Sequence, residues 1–290
     1  MLISANSGLH SARPDGIRFD MNTVPEVFSN AGFESIDANF CASIYKDLPG
    51  KIHEPILDGD EKEWKSRIIR FGESAAARGL PVRLSHLPYF KYADEADPYR
   101  EFRYEMIRRS AEAAGMLGIS WTVLHVGKSV DATLTFARDI CRTVNGYGVG
   151  VAVENSPKST IDILCESVDI LASEGYKVGI CYDAGHGNLT GAPQHEMLDR
   201  IGHRLRMLHI HDNNGQKDEH REPGFGNIDW DDVAASLARI GYEGDFNYEV
   251  NASFLPADPI DDRLRYYRDL VNFGKAFRAK FEAAKASFNA

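Results

Sequence analysis

The stretch GVAVENSPKSTIDILCESVDILASEGYKVGICYDAGH, residues 150–186, contains a complete strand–helix–strand unit. It begins with a short valine-rich run, Gly150 to Glu154, and continues with apolar residues at helical spacing from Thr160 to Ser173. A second apolar run extends from Lys177 to Asp183, and Gly175 before it suits a left-handed helix C-terminus. The stretch therefore predicts one unit of a parallel α/β sheet.

The same alternation recurs along the whole chain, in about eight strand–helix pairs. The predicted strands are Leu2 to Ala5, Ser35 to Phe40, Val82 to His86, Trp121 to Val126, Gly150 to Glu154, Lys177 to Asp183, Arg206 to His211 and Asp245 to Val250. The predicted helices are Val24 to Ala31, Asp60 to Arg78, Pro98 to Leu117, Asp131 to Gly146, Thr160 to Ser173, Gln194 to Ile201, Trp230 to Ile240 and Asp261 to Lys285. Strict alternation implies right-handed crossovers in a parallel sheet, either open or closed into a barrel.

Two features favour the closed barrel. The segment SANSGLHS after the first strand, residues 4–11, lacks the glycine pattern GxGxxG of a dinucleotide-binding fold. In addition, residues able to bind metal end at least six strands, namely His86, His125, Glu154, Asp183, His209 and Glu249. A barrel brings that many strand ends around one point. We therefore predict an α/β protein with a single (β/α)8 TIM barrel domain over residues 1–290.

Composition and charge exclude several classes of protein. The formal net charge of −10, without a basic patch in the sequence, disfavours a nucleic-acid partner. No apolar run approaches the roughly 18 residues that indicate a membrane span. The four cysteines are widely spaced and form no CxxC pair, which indicates reduced thiols. We expect a cytoplasmic enzyme that acts on a small molecule.

Four strand ends carry side chains that suit a hard or borderline divalent metal. They are Glu154 in VAVEN, Asp183 in CYDAGH, His209 and His211 in HIHDN, and Glu249 in NYEVN. Since side chains alternate along a strand, His209 and His211 point to the same side, and the residues alone do not choose between them. Glu154 and Glu249 end strands five and eight, nearly opposite each other around the mouth. We predict that this pair supplies the catalytic acid and base.

Further polar residues near strand ends are candidates for outer contacts or for additional metal ions. They are His86, His125, His186, His211, Asp218 and His220. His186 lies between Gly185 and Gly187, which let the chain bend sharply towards the mouth. A structural or solvated role is the alternative for each of these residues.

Substrate contacts are predicted for His186, Arg221 and Trp121. The forked guanidinium of Arg221 can hold a substrate oxygen or phosphate. Trp121 belongs to a set of aromatics that can either line a sugar pocket or fill the core, together with Phe40, Tyr89, Phe90 and Trp230. For most of this set, the core is the expected place.

The sequence resembles the xylose isomerase-like TIM-barrel superfamily, which contains sugar isomerases and epimerases and also endonuclease IV. The resemblance spans nearly the whole chain. Its specific parts are VAVEN, YDAGH, HIHDNNG followed by DEHREPGFGNIDW, and NYEVN.

In the sugar-converting members, the resemblance implies one divalent ion, commonly Mn2+, Mg2+, Co2+ or Zn2+. The corresponding ligands are Glu154, Asp183, His209 and Glu249. His209 is preferred to His211 because the family ligand is followed three residues later by an acid, here Asp212. The implied reaction is proton transfer next to a carbonyl through a cis-enediolate, on a sugar or polyol substrate.

The same resemblance leaves other functions open. Endonuclease IV holds three zinc ions with nine ligands, and this chain has a suitable residue for each: His86, His125, Glu154, Asp183, His186, His209, Asp218, His220 and Glu249. A multi-zinc phosphodiesterase is therefore one alternative, and a dehydratase or lyase with the four-ligand core is another. A non-catalytic barrel ranks last, because no core ligand is missing.

The last segment predicts an assembly contact. Aromatic and apolar residues recur at helical spacing from Tyr266 to Phe288: Tyr267, Leu270, Phe273, Phe277 and Phe281. Part of this stripe must cover the barrel. Any excess is a candidate contact in a homo-oligomer.

Overall fold

The computed structural model describes residues 1–11, 20–41, 55–92, 94–252, 254–255 and 260–288. The strands are β1 (Ile3–Asn6), β2 (Ser35–Asn39), β3 (Val82–His86), β4 (Trp121–His125), β5 (Gly150–Glu154), β6 (Val178–Asp183), β7 (Leu205–His209) and β8 (Phe246–Tyr248). The helices are α1 (Gly8–Ser11), α2 (Val24–Ala31), α3 (Glu61–Ala76), α4 (Arg100–Met116), α5 (Val130–Asn145), α6 (Ile161–Ser173), α7 (Ala184–Asn188), α8 (Gln194–Ile201), α9 (Trp230–Arg239) and α10 (Ile260–Phe288).

The eight strands form a parallel barrel. Each strand pairs with the next along the chain from β1 to β7, and β8 pairs with β1. A parallel bridge between Ile210 and Tyr248, just beyond β7, joins the two ends of this order. The predicted (β/α)8 fold is confirmed.

The local signals for helix ends are also confirmed. Gly79, Gly118, Gly175 and Gly241 all have positive φ, between 65° and 91°, after the helices that they were predicted to end. The short helices α1 and α7 were not predicted. With four and five residues, they are too short to display a helical period.

The barrel interior is divided into an apolar part and a polar part. Strands β3 to β7 contribute a separate apolar cluster, Leu84, Val123, Ala152, Cys181 and Met207. The candidate ligands His86, His125, Glu154, Asp183 and His209 each follow a member of this cluster by two residues, so they share its inward direction. Strands β8, β1 and β2 contribute buried polar side chains instead, among them Asn247, Ser4 and Asp37.

The prediction that Trp121 contacts substrate does not fit its position at the start of β4. Trp121 begins β4, whereas His125 ends it, so the two are separated by about 13 Å along the strand. The indole packs against the apolar interior cluster, with Lys177 Nζ 5.4 Å and the Arg206 guanidinium carbon 5.7 Å from its ring centroid. Trp121 therefore closes the end of the barrel opposite the candidate ligands.

The apolar stripe of the C-terminal helix α10 packs against the barrel of the same chain. Tyr267, Leu270, Phe277 and Phe281 are each at most 3% exposed, and Phe273 is partly buried. Phe273 and Phe277 contact Trp230 and Phe246. The stripe therefore leaves no extra apolar surface for an assembly contact. Homo-association remains a prediction that this stripe does not support. Within the described ranges, no helix has the combination of length and apolar character needed to cross a membrane.

Candidate metal centre

Four candidate ligands meet at the carboxyl ends of β5 to β8. Ligand atoms of Glu154, Asp183, His209 and Glu249 all lie within 4.8 Å of one another. The first three side chains are at most 1% exposed, and that of Glu249 is 20% exposed. We call these residues the four-ligand group. Each comes from a different strand, and the parallel order of the barrel brings them together.

Short contacts hold this group in place. His209 Nδ1 lies 3.3 Å from Glu154 Oε1 and 3.1 Å from Glu249 Oε2. Asp183 forms the N-cap of α7, where its Oδ1 accepts a hydrogen bond of 2.6 Å from the backbone N–H of His186. The cap explains why a helix of only five residues begins directly at a strand end.

The electrostatics of the group favour a bound cation. Burial alone would raise the pKa of Glu154, but the His209 and His186 rings outweigh it and hold that pKa well below its usual range. Burial likewise opposes ionisation of Glu249, yet His209 lowers the pKa of that carboxyl. Three carboxylates in a buried site require compensating positive charge.

The residues fit a divalent metal ion. Nitrogen and oxygen ligands at about 2.2 Å from an ion are at most about 4.4 Å apart, close to the separations in the four-ligand group. Glu154 Oε2 is buried and has no hydrogen-bond partner among the described residues. The oxygen-rich donor set with one imidazole suits Mn2+, Co2+, Mg2+ or Zn2+.

A second group, of His86, His125 and Glu154, shares a carboxylate with the first. Glu154 Oε2 lies 3.7 Å from His86 Nε2 and 3.4 Å from His125 Nε2, and the two Nε2 atoms are 3.1 Å apart. His86 Nδ1 donates to the Leu87 carbonyl at 2.7 Å, which directs Nε2 towards the site. Burial lowers the pKa of His125 to about 4.

A third group consists of His211, Asp218 and His220. The His211 ring stacks on His220 at a centroid distance of 4.0 Å, and its Nε2 lies 3.0 Å from Asp183 Oδ1. Among the described non-glycine residues, His220 is the one with positive φ, 48°, and its Nδ1 donates to the Glu249 carbonyl at 2.7 Å. The structure thus places His209 in the four-ligand group and His211 in a different one.

His186 connects the first and third groups. Its Nδ1 lies 3.3 Å from Glu154 Oε1, and its Nε2 lies 3.3 Å from Asp218 Oδ2. Burial favours the neutral ring, but Asp183, Asp218 and Glu154 outweigh it and raise the pKa of His186 to about 12. His186 therefore faces the mouth, as predicted from its flanking glycines.

Arg221 is exposed and has local partners. Its guanidinium donates to Glu219 Oε1 at 2.6 Å and to the Phe225 carbonyl at 3.2 Å. A substrate contact by Arg221 remains a prediction, and it requires the guanidinium to leave Glu219.

Among the other aromatics, Tyr89 differs from the rest. Phe40, Phe90 and Trp230 are at most 8% exposed and belong to the core, whereas Tyr89 is 48% exposed. The Tyr89 ring lies 4.3 Å from that of His125. No periodic pattern in the sequence separates Tyr89 from the other aromatic residues of this set.

Sequence reasoning used Asp212 only as a marker for His209, but the structure gives it a role. Its buried carboxylate accepts from the N–H groups of Gly224, at 2.9 Å, and Ile228, at 3.3 Å, and from Trp230 Nε1, at 3.0 Å. These bonds fold the loop after β7 back on itself. Asp218 and His220 lie on that loop, so Asp212 fixes their position.

Known proteins share this architecture. The profile of the family described as Xylose isomerase-like TIM barrel matches residues 27–270. An uncharacterized protein of Methanocaldococcus jannaschii is 30% identical over 200 residues, which cover 63% of this chain and 68% of the relative. Fructoselysine 3-epimerase of Escherichia coli O157:H7 is 20% identical over 221 residues, covering 66% of this chain and 80% of the enzyme.

A solved structure agrees in fold. A D-tagatose 3-epimerase-like protein superposes with a TM-score of 0.68 and 22% identity, over 94% of this chain and 98% of that protein. The family match covers most of the chain, including all four residues of the four-ligand group. The chain therefore belongs to the xylose isomerase-like TIM barrel family.

Proposed function

We propose that this protein is a divalent-metal-dependent sugar or polyol isomerase or epimerase, in which Glu154 and Glu249 transfer the proton. The observation that carries the proposal is the buried four-ligand group, in which the glutamates at the ends of β5 and β8 both face His209 Nδ1. Likeness to fructoselysine 3-epimerase and to a D-tagatose 3-epimerase-like protein supports the same class of reaction. We further propose that residues 1–290 act as one domain.

In the proposed mechanism, the protein supplies an acid and a base. The bound divalent ion would be held by Glu154, Asp183, His209 and Glu249, and would polarise the oxygens of the substrate. One glutamate removes the proton from the carbon next to the carbonyl. The other returns a proton, to the opposite face of the same carbon in an epimerase or to the neighbouring carbon in an isomerase.

Other residues of the mouth bind and orient the sugar. His186 Nδ1 faces the Asn155 carbonyl and Glu154, so Nε2 would donate to a substrate oxygen by exchanging its contact with Asp218. The half-exposed ring of Tyr89 offers an apolar face beside His125. Arg221 would join them after exchanging its contact with Glu219 for a substrate oxygen.

The test is hydrogen exchange with solvent on a panel of ketoses and aldoses. The Mn2+- or Co2+-loaded protein is incubated in D2O with each sugar, and NMR detects deuterium on the carbon next to the carbonyl. We expect deuterium in both substrate and product for at least one sugar. Loss of water from the sugar, also visible by NMR, would instead assign a dehydratase or lyase.

One observation favours a second candidate, a multi-zinc phosphodiesterase. The second and third groups bring His86, His125, His211, Asp218 and His220 into metal-binding range around the first. Glu154 directs one oxygen to each of two groups, as a bridging ligand would. The net charge of −10 opposes a polyanionic substrate. Cleavage of a phosphodiester by the zinc-loaded protein, without hydrogen exchange on any sugar, would favour this candidate.

A further inference from the structure

Asp37 is a buried carboxylate outside the four-ligand group. It lies on β2 at 0% exposure, inside the polar part of the barrel. Its Oδ2 accepts a hydrogen bond of 2.7 Å from Asn247 Nδ2, while Oδ1 has no partner among the described residues. Burying a carboxylate with so few hydrogen bonds is costly, so a nearby group must compensate for it.

The group that faces Asp37 is the imidazole of His209. His209 Nε2 lies 3.8 Å from Asp37 Oδ2 and, like Asp37 Oδ1, is buried without a hydrogen-bond partner among the described residues. His209 Nδ1 points the other way, towards Glu154 and Glu249. The ring therefore lies between the proposed metal position and a carboxylate, with one nitrogen facing each.

We propose that Asp37 is a positioning residue that accepts the Nε2 proton of His209 and thereby fixes the tautomer whose Nδ1 lone pair faces the metal. A neutral imidazole carries one N–H and one lone pair, so a proton held on Nε2 leaves Nδ1 free to coordinate. A carboxylate behind a metal-bound histidine also increases the basicity of the ligand. A shift of about 1 Å brings the 3.8 Å contact to hydrogen-bond length.

Asn247 completes this arrangement. Its Nδ2 donates to Asp37 Oδ2, the oxygen that faces His209 Nε2. Backbone pairing aligns the end of β7 with β8, since Ile210 N donates to the Asn247 carbonyl at 2.8 Å. β2, β7 and β8 thus hold the histidine from behind, while Glu154 and Glu249 face its other side.

The inference rests on the proposed metal centre, and the test separates the two. The Kd for Mn2+ is measured by competition with a chromogenic chelator, using the full chain, Asp37→Asn and Ser35→Ala. Ser35 is the matched control, because it is equally buried on β2 but donates to Asp245 at 2.9 Å and not to His209. The thermal midpoint of each metal-free protein is measured in parallel.

We expect Asp37→Asn to weaken Mn2+ binding about 10- to 100-fold, and Ser35→Ala to leave the Kd unchanged. A Kd for Asp37→Asn equal to that of the wild type would overturn the inference. Wild-type protein that binds Mn2+ but exchanges no sugar hydrogen would instead contradict the proposed function alone. Wild-type protein that binds no metal would contradict both.

A second measurement does not depend on the folding of a variant. Nitrogen-15 NMR of the zinc-loaded wild type reports which nitrogen of His209 carries the proton. We expect a protonated Nε2 and a metal-bound Nδ1. The opposite tautomer would overturn the inference.

Discussion

Glu154 is the side chain with the most contacts in the candidate centre. One of its oxygens faces His186 and His209, and the other faces His86 and His125. Its side chain points into the barrel because side chains alternate along β5 and Ala152, two residues earlier, also points inward. Residue type and strand position together predicted Glu154, Asp183 and Glu249, whereas the choice of His209 over His211 depended on the resemblance to the family.

Replacing either proposed proton-transfer residue tests the chemistry directly. Glu154→Gln and Glu249→Gln keep the shape of the side chain but remove its capacity to take a proton. We expect each variant to lose turnover by at least about 10²- to 10⁴-fold, with an unchanged circular dichroism spectrum. Glu243→Gln, at an exposed glutamate near the other end of the barrel, serves as the control. Activity retained in both site variants is incompatible with the proposed mechanism.

His10 provides a prediction about stability and pH. It lies on α1 at 1% exposure, with Nδ1 3.3 Å from Tyr267 Oη. Burial, assisted by the charge of Arg263, lowers the pKa of His10 to about 4. The unfolded chain binds a proton near pH 6.5, whereas the folded protein resists it, so stability falls as pH decreases from about 6.5 to about 4.

The expected loss is up to roughly 3 kcal/mol in the free energy of unfolding across that range. Urea unfolding of the wild type and His10→Gln at pH 7, 5.5 and 4.5 measures it. We expect the variant to lose less stability on acidification than the wild type. Parallel pH profiles of the two proteins would show that His10 does not contribute.

Some residues of the site could not be predicted. The sequence pattern of β2 predicts only that the Asp37 side chain is buried. Asp37 faces His209 because β8 closes the barrel between β7 and β1, which no local pattern indicates. The position of Trp121 could not be predicted for a related reason. An aromatic residue within a strand gives no indication of the end of the barrel at which it lies.

At the scale of elements, the loop after β7 depends on one carboxylate. Asp212 accepts four hydrogen bonds from Asn213, Gly224, Ile228 and Trp230. Gly226 is required beside it, because a Cβ there would overlap Asp212 Oδ1. The loop carries Asp218 and His220 to the third group, so its fold determines whether that group forms.

Asp212→Asn is expected to destabilise the protein by roughly 2–3 kcal/mol, because an amide nitrogen then faces donors. Trp230→Phe removes one of these four bonds, worth about 1 kcal/mol, and in addition the part of the ring that packs on Phe246, Phe273 and Phe277. Urea unfolding measures both losses. Wild-type stability in Asp212→Asn would mean that the loop is held by other contacts.

The elements themselves were largely predictable, because long helices and valine-rich strands repeat with clear periods. The exceptions lie near the site. Strand β7 ends at His209 instead of continuing to His211, since the chain beyond it turns to bridge Tyr248. α7 depends on the Asp183 cap and on Gly185, where a Cβ would overlap the His211 ring. Such contacts between distant residues are not visible in a local pattern.

For the whole molecule, the proposed metal centre would link function to stability. Three carboxylates converge at one end of the barrel, and a divalent ion bound there would reduce their mutual repulsion. A divalent ion at 100 times its Kd stabilises the folded state by about 2.7 kcal/mol. We therefore expect the Tm to rise by roughly 5 °C or more on addition of Mn2+, and to fall again with EDTA.

Differential scanning calorimetry checks this prediction, with Glu249→Gln as the control. The variant lacks one ligand, so its Tm should respond less to Mn2+ than that of the wild type. An equal rise of the Tm in both proteins would show that the metal binds outside the four-ligand group.

We propose that one divalent ion occupies the four-ligand group. Elemental analysis of protein purified without chelator or affinity-tag metal counts and identifies the bound ions most directly. We expect about one ion per chain, exchangeable for manganese or cobalt. Two or three tightly held zinc ions would rule out a single-ion centre and favour phosphodiester cleavage. Protein that takes up no metal would rule out both proposed functions.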